Sequence, residues 1–157
     1  MKKRIMVDMS ATLIHHGHVR LLKKASELGS VVVALTTDEE VEKKKGYKPE
    51  LSFEERKEIL ESFRYVDEVV PSGWLIDDAF LVEHNIDLLV HGDDNSNIIP
   101  QEKLAIFPRT EGVSSSELRR RVLDSLIAIN IRQERAEGSD RVARALFETI
   151  KNEFRLD

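Results

Sequence analysis

Four consecutive residues, His15-His16-Gly17-His18, follow the apolar run Ile5-Met6-Val7 and precede Leu21-Leu22. An H-x-G-H at the point where a strand hands over to a helix sets two imidazoles beside backbone N–H groups left unpaired by the first helical turn. The helix N-terminus adds positive potential, and Gly17 lets backbone and ligand approach closely. Such a place suits a polyphosphate. Further along, Arg109-Thr110-Glu111-Gly112-Val113-Ser114-Ser115-Ser116 joins a rigid guanidinium fork to hydroxyls and a second helix start. Three serines before a helix are ordinarily a cap, but only Ser114 is needed for that. Two phosphate-type segments in one chain point to an enzyme handling a nucleoside triphosphate.

The elements that must position these residues alternate strand and helix, the pattern of a parallel α/β sheet. Ile5 to Asp8 reads as a first strand and Val19 to Leu28 as the helix after the histidines. Val31 to Leu35 is apolar throughout, as a strand covered on both faces should be. Ser52 and Glu55 make a capping-box pattern before a helix from Phe53 to Phe63. Val66 to Val70, Asp87 to His91 and Ala105 to Phe107 supply three more strands, with a helix over Ala79 to His84. Ser114 and Glu117 repeat the capping box before a helix to about Leu126. The expected fold is a Rossmann-like α/β sheet with helices on both faces, plus a C-terminal helix. The catalytic domain is expected over 1–126, with 127–157 a helical extension of the same domain.

In such sheets the ligand lies outside the carboxyl ends of the strands. His15 and His18, Thr36-Thr37-Asp38, Asp93-Asp94 and Arg109 each fall at such an end. The segment Lys44 to Glu50, with Gly46 and Pro49, reads as a polar loop able to close over substrate. From Arg132 onward the chain turns charged and amphipathic. Val142, Ala145, Leu146, Thr149 and Ile150 make one stripe on a terminal helix expected over Asp140 to Phe154.

Composition narrows the classes. The chain has 157 residues, 41% of them hydrophobic and 34% charged, which fits one globular domain. A net charge of −5 argues against a nucleic-acid partner, which needs a concentrated basic surface. The absence of cysteine excludes thiolate catalysis and any sulfur-built zinc site, and it agrees with a reducing cytoplasm. No apolar run approaches the ~18 residues of a membrane span, and the N-terminus lacks the apolar core of a signal peptide.

The motifs resemble the cytidylyltransferase branch of the nucleotidyltransferase superfamily, which carries H-x-G-H and a later R-T-E-G-[IV]-S-[ST]-[ST]. The resemblance runs from about Ile5 to Val122 and includes Lys45-Gly46, Glu55-Arg56, Arg64-Tyr65-Val66-Asp67-Glu68-Val69 and Gly92-Asp93-Asp94. It implies catalytic roles for His15, His18, Lys45 and Arg109, with the histidines on the α- and β-phosphates. The nucleotide would further meet Met9, Ser10, Arg64, Asp93, Thr110, Gly112, Ser114, Ser115 and Ser116. Lys45, Lys48 and Trp74 would meet the acceptor. Magnesium would arrive with the triphosphate, without dedicated protein ligands.

The resemblance implies CMP transfer from CTP to a small phosphorylated or phosphonylated acceptor. Candidates are 2-aminoethylphosphonate, glycerol 3-phosphate, phosphocholine and phosphoethanolamine. An adenylyltransferase and a non-catalytic nucleotide-binding regulatory domain are the rivals. It also implies a homodimer through Arg64 to Val69. One departure stands out: relatives read G-x-F-D where this chain reads Met9-Ser10-Ala11-Thr12, so Thr12 replaces an aspartate. Met-Ser-Ala before Ile-His is closer to a sub-branch of phosphonate biosynthesis.

Overall fold

A computed structural model describes residues 2–137 and 148. The chain divides into two compact units, Met1–Ser115 and Ser116–Asp157. The first holds a five-stranded sheet of order β3-β2-β1-β4-β5: β1 Arg4–Met9, β2 Ser30–Thr36, β3 Glu68–Ser72, β4 Leu88–Gly92 and β5 Leu104–Phe107. Every pairing is parallel. Its helices are α1 His16–Leu28, α2 Asp38–Lys45, α3 Phe53–Glu61 and α4 Asp78–Glu83. In the second unit the described residues are dominated by α5, which begins at Ser115 and runs to Glu137.

Alternation along the central strands divides the core into two layers. Ile5 and Val7 of β1 with Val31, Val33 and Leu35 of β2 pack on Leu22, Ala25 and Leu60 from α1 and α3. Met6, Val32, Ala34 and Leu89 point to the other face and pack on Ile76, Leu81 and Ile86. With Leu22 and Leu60 wholly buried, truncating either to alanine costs about 2–5 kcal/mol. Pro71, which has no N–H for the ladder, sits in the edge strand β3 opposite Leu35. Two aspartates clamp the amino ends of the strands by the same device. Asp67 accepts from Val31 N at 2.7 Å and donates its own N–H to Val31 O at 2.9 Å. Asp87 does the same with Arg4, at 2.8 and 3.0 Å. Asn85, at φ 54, takes the left-handed turn after α4.

The chain builds outward from β1 to β3 and then crosses to β4 and β5, so the direction of winding reverses between β1 and β4. The carboxyl ends of those two strands flank the crevice where an open α/β sheet binds its ligand.

Some expected boundaries differ. The third strand starts at Glu68 instead of Val66, and α1 begins at His16, so the second histidine of the motif lies inside the first helical turn. Lys44 and Lys45 end a helix instead of opening a loop; Gly46 at φ 77 caps it, donating its N–H to Glu42 O at 2.8 Å. The last helix continues eleven residues past Leu126, through Arg132, to Glu137. The terminal helix expected over Asp140 to Phe154, with its stripe from Val142 to Ile150, lies outside the described residues.

Candidate active site

His15 and His18 cap the helix that carries them. His15 is the N-cap of α1, in extended backbone, and its Nδ1 accepts from Gly17 N at 3.2 Å. His18 stands three residues on, and its Nδ1 accepts from His15 N at 3.2 Å. This is a capping box built from two imidazoles, each satisfying a backbone donor that the first turn leaves unpaired. Because each Nδ1 accepts, the ring proton of each neutral imidazole sits on Nε2. Two N–H donors are thereby set side by side, with ring centroids 3.9 Å apart and planes tilted by 31°.

Both rings are held neutral. Burial pushes His18 down to about 3, and the neighbouring charges of His15, Arg109 and Lys45 act in the same direction. His15 is lowered too, first by burial and then by His16 and Arg109. A Cβ on Gly17 would come within 2.9 Å of Cε1 and Nδ1 of His15. The expectation that Gly17 clears room for a ligand is thus refined: the glycine first makes room for the His15 ring.

The loop from β1 to α1 is braced at several points. Arg56, wholly buried in α3, donates to Ser10 O at 2.5 Å, Leu51 O at 3.1 Å and Asp38 Oδ1 at 2.5 Å. Asp38 Oδ2 accepts from Phe53 N at 3.0 Å, so one carboxylate ties α2 to the start of α3. Ser115 Oγ accepts from Leu13 N at 3.2 Å and donates to Leu13 O at 3.1 Å. That hydroxyl, expected on the nucleotide, is engaged in fastening the second motif to the first.

Lys45 reaches across from the end of α2. Its Nζ lies 3.1 Å from Ser10 Oγ and 5.5 Å from the centre of the Trp74 ring. Trp74 is half-buried, its N–H donating to Glu40 Oε2 at 3.1 Å, so the segment after β3 is docked on α2. Lys45, Ser10 and Trp74 therefore share one side of the crevice, while Lys48 is exposed in the segment after α2.

On the other side, Arg109 follows β5 and donates Nη1–H to Asp94 Oδ2 at 2.8 Å. A Cβ on Gly92 would lie 2.9 Å from Asp94 Oδ1 and 3.3 Å from Arg109 Cγ, so the arginine stem crosses close above that glycine. Asp93 is exposed, and it is Asp94 that contacts Arg109. Met9 closes β1, Thr110 is half-buried, and exposed Gly112 takes a left-handed turn at φ 71. Ser114 immediately precedes α5, and Ser116 opens the second unit.

Arg64 is not brought to these residues within one chain. It precedes β3, at the amino end of a parallel sheet whose carboxyl ends carry the histidines. There it is exposed and donates to Tyr65 Oη at 2.6 Å.

The residues that sequence reasoning passed over are Asp8, His91 and Asn97. Asp8, which follows the apolar run Ile5-Met6-Val7 of β1, accepts from Asn97 Nδ2 at 2.8 Å and lies 3.5 Å from His91 Nε2. Burial pushes its carboxyl above the ordinary range, with His91 and Asn97 pulling it back. A charged residue at the end of that apolar run was the one signal available. Among the described residues no cluster of three metal-ligating side chains occurs, and no helix is long and apolar enough to cross a membrane.

The model of the cytidylyltransferase-like family matches residues 10–121, from Ser10 through the braced loop and both motifs. The chain belongs to the cytidylyltransferase-like family. With it the chain belongs to the nucleotidyltransferase enzymes. It is 39% identical over 127 residues to the glycerol-3-phosphate cytidylyltransferase of Bacillus subtilis (strain 168), covering 76% of this chain and 97% of that protein. It is 36% identical over 132 residues to the ethanolamine-phosphate cytidylyltransferase of Dictyostelium discoideum, covering 76% of this chain but 36% of the other. The choline-phosphate cytidylyltransferase of Saccharomyces cerevisiae is 36% identical over 129 residues, 73% of this chain and 30% of that one. A solved structure, the lipopolysaccharide core biosynthesis protein of Thermoplasma volcanium GSS1, superposes with a TM-score of 0.60. At 17% identity, over 71% of this chain and all of that one, it shows the fold alone.

Proposed function

We propose that this cytidylyltransferase-like enzyme transfers CMP from CTP to a small phosphorylated or phosphonylated acceptor. An acceptor oxygen attacks the α-phosphorus, a new P–O bond forms, the bond to the β-phosphate oxygen breaks, and pyrophosphate leaves. The nucleophile is already anionic, so no strong general base is needed. The protein must align two anions and stabilise charge on a five-coordinate phosphorus.

The observation that carries this reading is the pair of neutral imidazoles with their protons on Nε2. They offer donors to phosphate oxygens as charge builds, and their position does not depend on the ligand. Lys45 and Arg109, on opposite sides of the crevice, supply the permanent positive charge. Met9, Ser10, Asp93, Thr110, Gly112 and the serines from Ser114 to Ser116 would complete the nucleotide's surroundings. The substrate is written as the magnesium complex of CTP, its metal carried on the phosphates. Arg64 would enter the site only from a second copy, which is the argument for a homodimer. Cytoplasmic residence remains part of the proposal.

Three named relatives act on glycerol 3-phosphate, phosphoethanolamine and phosphocholine, and these head the acceptor panel. 2-Aminoethylphosphonate joins them because of Met9-Ser10-Ala11. The test is pyrophosphate release with each nucleoside triphosphate against that panel. Release with CTP and one acceptor is expected. Release with ATP alone would favour an adenylyltransferase, and release with none would leave a regulatory nucleotide-binding domain.

A further inference from the structure

A row of polar side chains, Asn97, Asp8, His91, Asp94 and Arg109, runs from the core out to the carboxyl ends of β4 and β5, and neither motif contains its inner half. Asp8 of β1 and His91 of β4 stand next to each other near the carboxyl ends of paired strands, on the face that carries Met6 and Leu89. Asn97 fixes the buried end of the row. Its Oδ1 accepts from Ile76 N at 2.7 Å, and its Nδ2 donates to Asp8 Oδ2 at 2.8 Å. The same Asp8 oxygen lies 3.5 Å from His91 Nε2. On the other edge of the ring, His91 Nδ1 is 3.0 Å from Gly92 O and 3.8 Å from Asp94 Oδ1. Asp94 Oδ2 then meets Arg109 Nη1 at 2.8 Å. Side-chain exposure rises along the row, from 11% at Asp8 and 18% at His91 to 57% at Asp94 and 51% at Arg109.

Both ring nitrogens of His91 face acceptors: Nδ1 meets the carbonyl of Gly92, with Asp94 Oδ1 further off at 3.8 Å, while Asp94 Oδ2 is bonded to Arg109. Gly92 lies under this arrangement with no room for a side chain. We propose that His91, backed by Asp8 and Asn97, is a positioning residue for nucleotide binding. It holds the Gly92 carbonyl and so the turn that presents Asp94, whose carboxylate holds one arm of Arg109 and leaves its remaining N–H groups for phosphate oxygens beyond the α-phosphate. The inference rests on the reading of Arg109 as a triphosphate ligand. Its physical basis is preorganisation: a long side chain restrained before the ligand arrives loses less freedom on binding.

The test is calorimetric titration of the full chain with CTP and with CMP, for wild type, His91→Leu, Asp94→Asn and the double variant. His91→Leu is expected to weaken CTP about ten-fold, within the range of coupling between neighbouring residues, and to leave CMP within two-fold. The double variant is expected to bind CTP no more weakly than Asp94→Asn alone, because His91 acts through Asp94. Additive losses, or equal losses for CTP and CMP, would overturn the inference. His91→Gln, run beside His91→Leu, keeps a polar group against Asp8 and serves the same cycle if the leucine variant does not fold. A lowered melting temperature with unchanged CTP affinity would reduce His91 to a packing residue and defeat the proposal. Wild-type protein that binds no CTP would defeat the proposed function and this inference together, whereas CTP binding with an additive cycle would defeat the inference alone.

Discussion

Replacing His18 by glutamine and, separately, by alanine divides the structural work of that residue from its chemical work. Glutamine at the third helical position keeps an acceptor for the His15 N–H, since a capping box accepts Glu or Gln there. The fold is therefore expected to stay within about 0.5 kcal/mol of wild type at pH 8, against about 1 kcal/mol for losing a cap outright. Glutamine still carries amide N–H donors, so the chemistry is read in His18→Ala, where one preorganised donor removed from a phosphoryl site costs about 10²–10³ in turnover. The pH dependence supplies a second readout. His18 takes up a proton near 6.5 in the unfolded chain but only near 3 in the folded one. Below pH 6.5 the unfolded state thus binds more protons, and stability falls as pH falls, by up to about 1.4 kcal/mol per unit until the folded value is reached. Between pH 8 and 5 this amounts to about 2 kcal/mol from His18 alone, most of it below pH 6.5. Urea unfolding of both proteins at pH 8, 6.5 and 5 measures it: wild type should lose that increment and His18→Gln should not. Parallel pH slopes would refute the burial argument, and near-normal turnover in His18→Ala would refute the assignment of the ring to phosphate.

Three further outcomes follow from particular contacts. Gly17→Ala sets a methyl group 2.9 Å from the His15 ring, so turnover should fall at least ten-fold while urea unfolding shows a cost of about 1–2 kcal/mol, the usual price of a forced fit. Arg56→Lys keeps the charge but cannot span Ser10 O, Leu51 O and Asp38 from a wholly buried position, and the acceptors left unpaired should destabilise by about 1–3 kcal/mol in equilibrium unfolding. Arg64→Ala should weaken CTP in a dimer while leaving stability nearly unchanged, since the side chain is exposed and contacts Tyr65. A monomeric mass by light scattering at micromolar concentration, with full activity, would remove Arg64 from the site.

The strands were legible because their burial is written in composition. Val31 to Leu35 is apolar without interruption, and all five residues are buried on the two faces of one strand. Helix α2 was illegible for the opposite reason. In Asp38-Glu39-Glu40-Val41-Glu42-Lys43-Lys44-Lys45 only Val41 is buried, so there is no apolar period to detect. Its signals were electrostatic, with acids in the first turn, lysines in the last and a glycine cap. The expected end of α5 near Leu126 fell eleven residues short, although between Gly112 and Gly138 there is no glycine or proline to stop it. The histidines could be picked out by type and spacing. Their mutual capping could not, because the usual cap residues are Ser, Thr, Asp and Asn. Asp8, His91 and Asn97 lie more than eighty residues apart at the extremes, and only strand pairing brings them together.

Position 12 shows how the fold redirects a question raised by sequence. Thr12 stands where the family resemblance expects an aspartate, which invites the thought that the acceptor or a metal contact has changed there. In this chain Thr12 is wholly buried, next to Ala11, which is itself 2% exposed and lies at φ 43. A left-handed alanine costs about 1–2 kcal/mol, and the surrounding contacts hold it there: Arg56 on the carbonyl of Ser10 and Ser115 on both backbone groups of Leu13. The threonine thus faces the interior, where a carboxylate would need buried partners of its own. On the proposed function, discrimination among acceptors falls to side chains that line the crevice. Lys45 against Ser10, with Trp74 beneath its ammonium group, is one such set. Acceptor choice should therefore follow substitutions at Trp74 and Lys45, and the panel of phosphate and phosphonate acceptors run against Trp74→Ala reads it. An unchanged rank order of acceptors would return the question to the loop around Thr12.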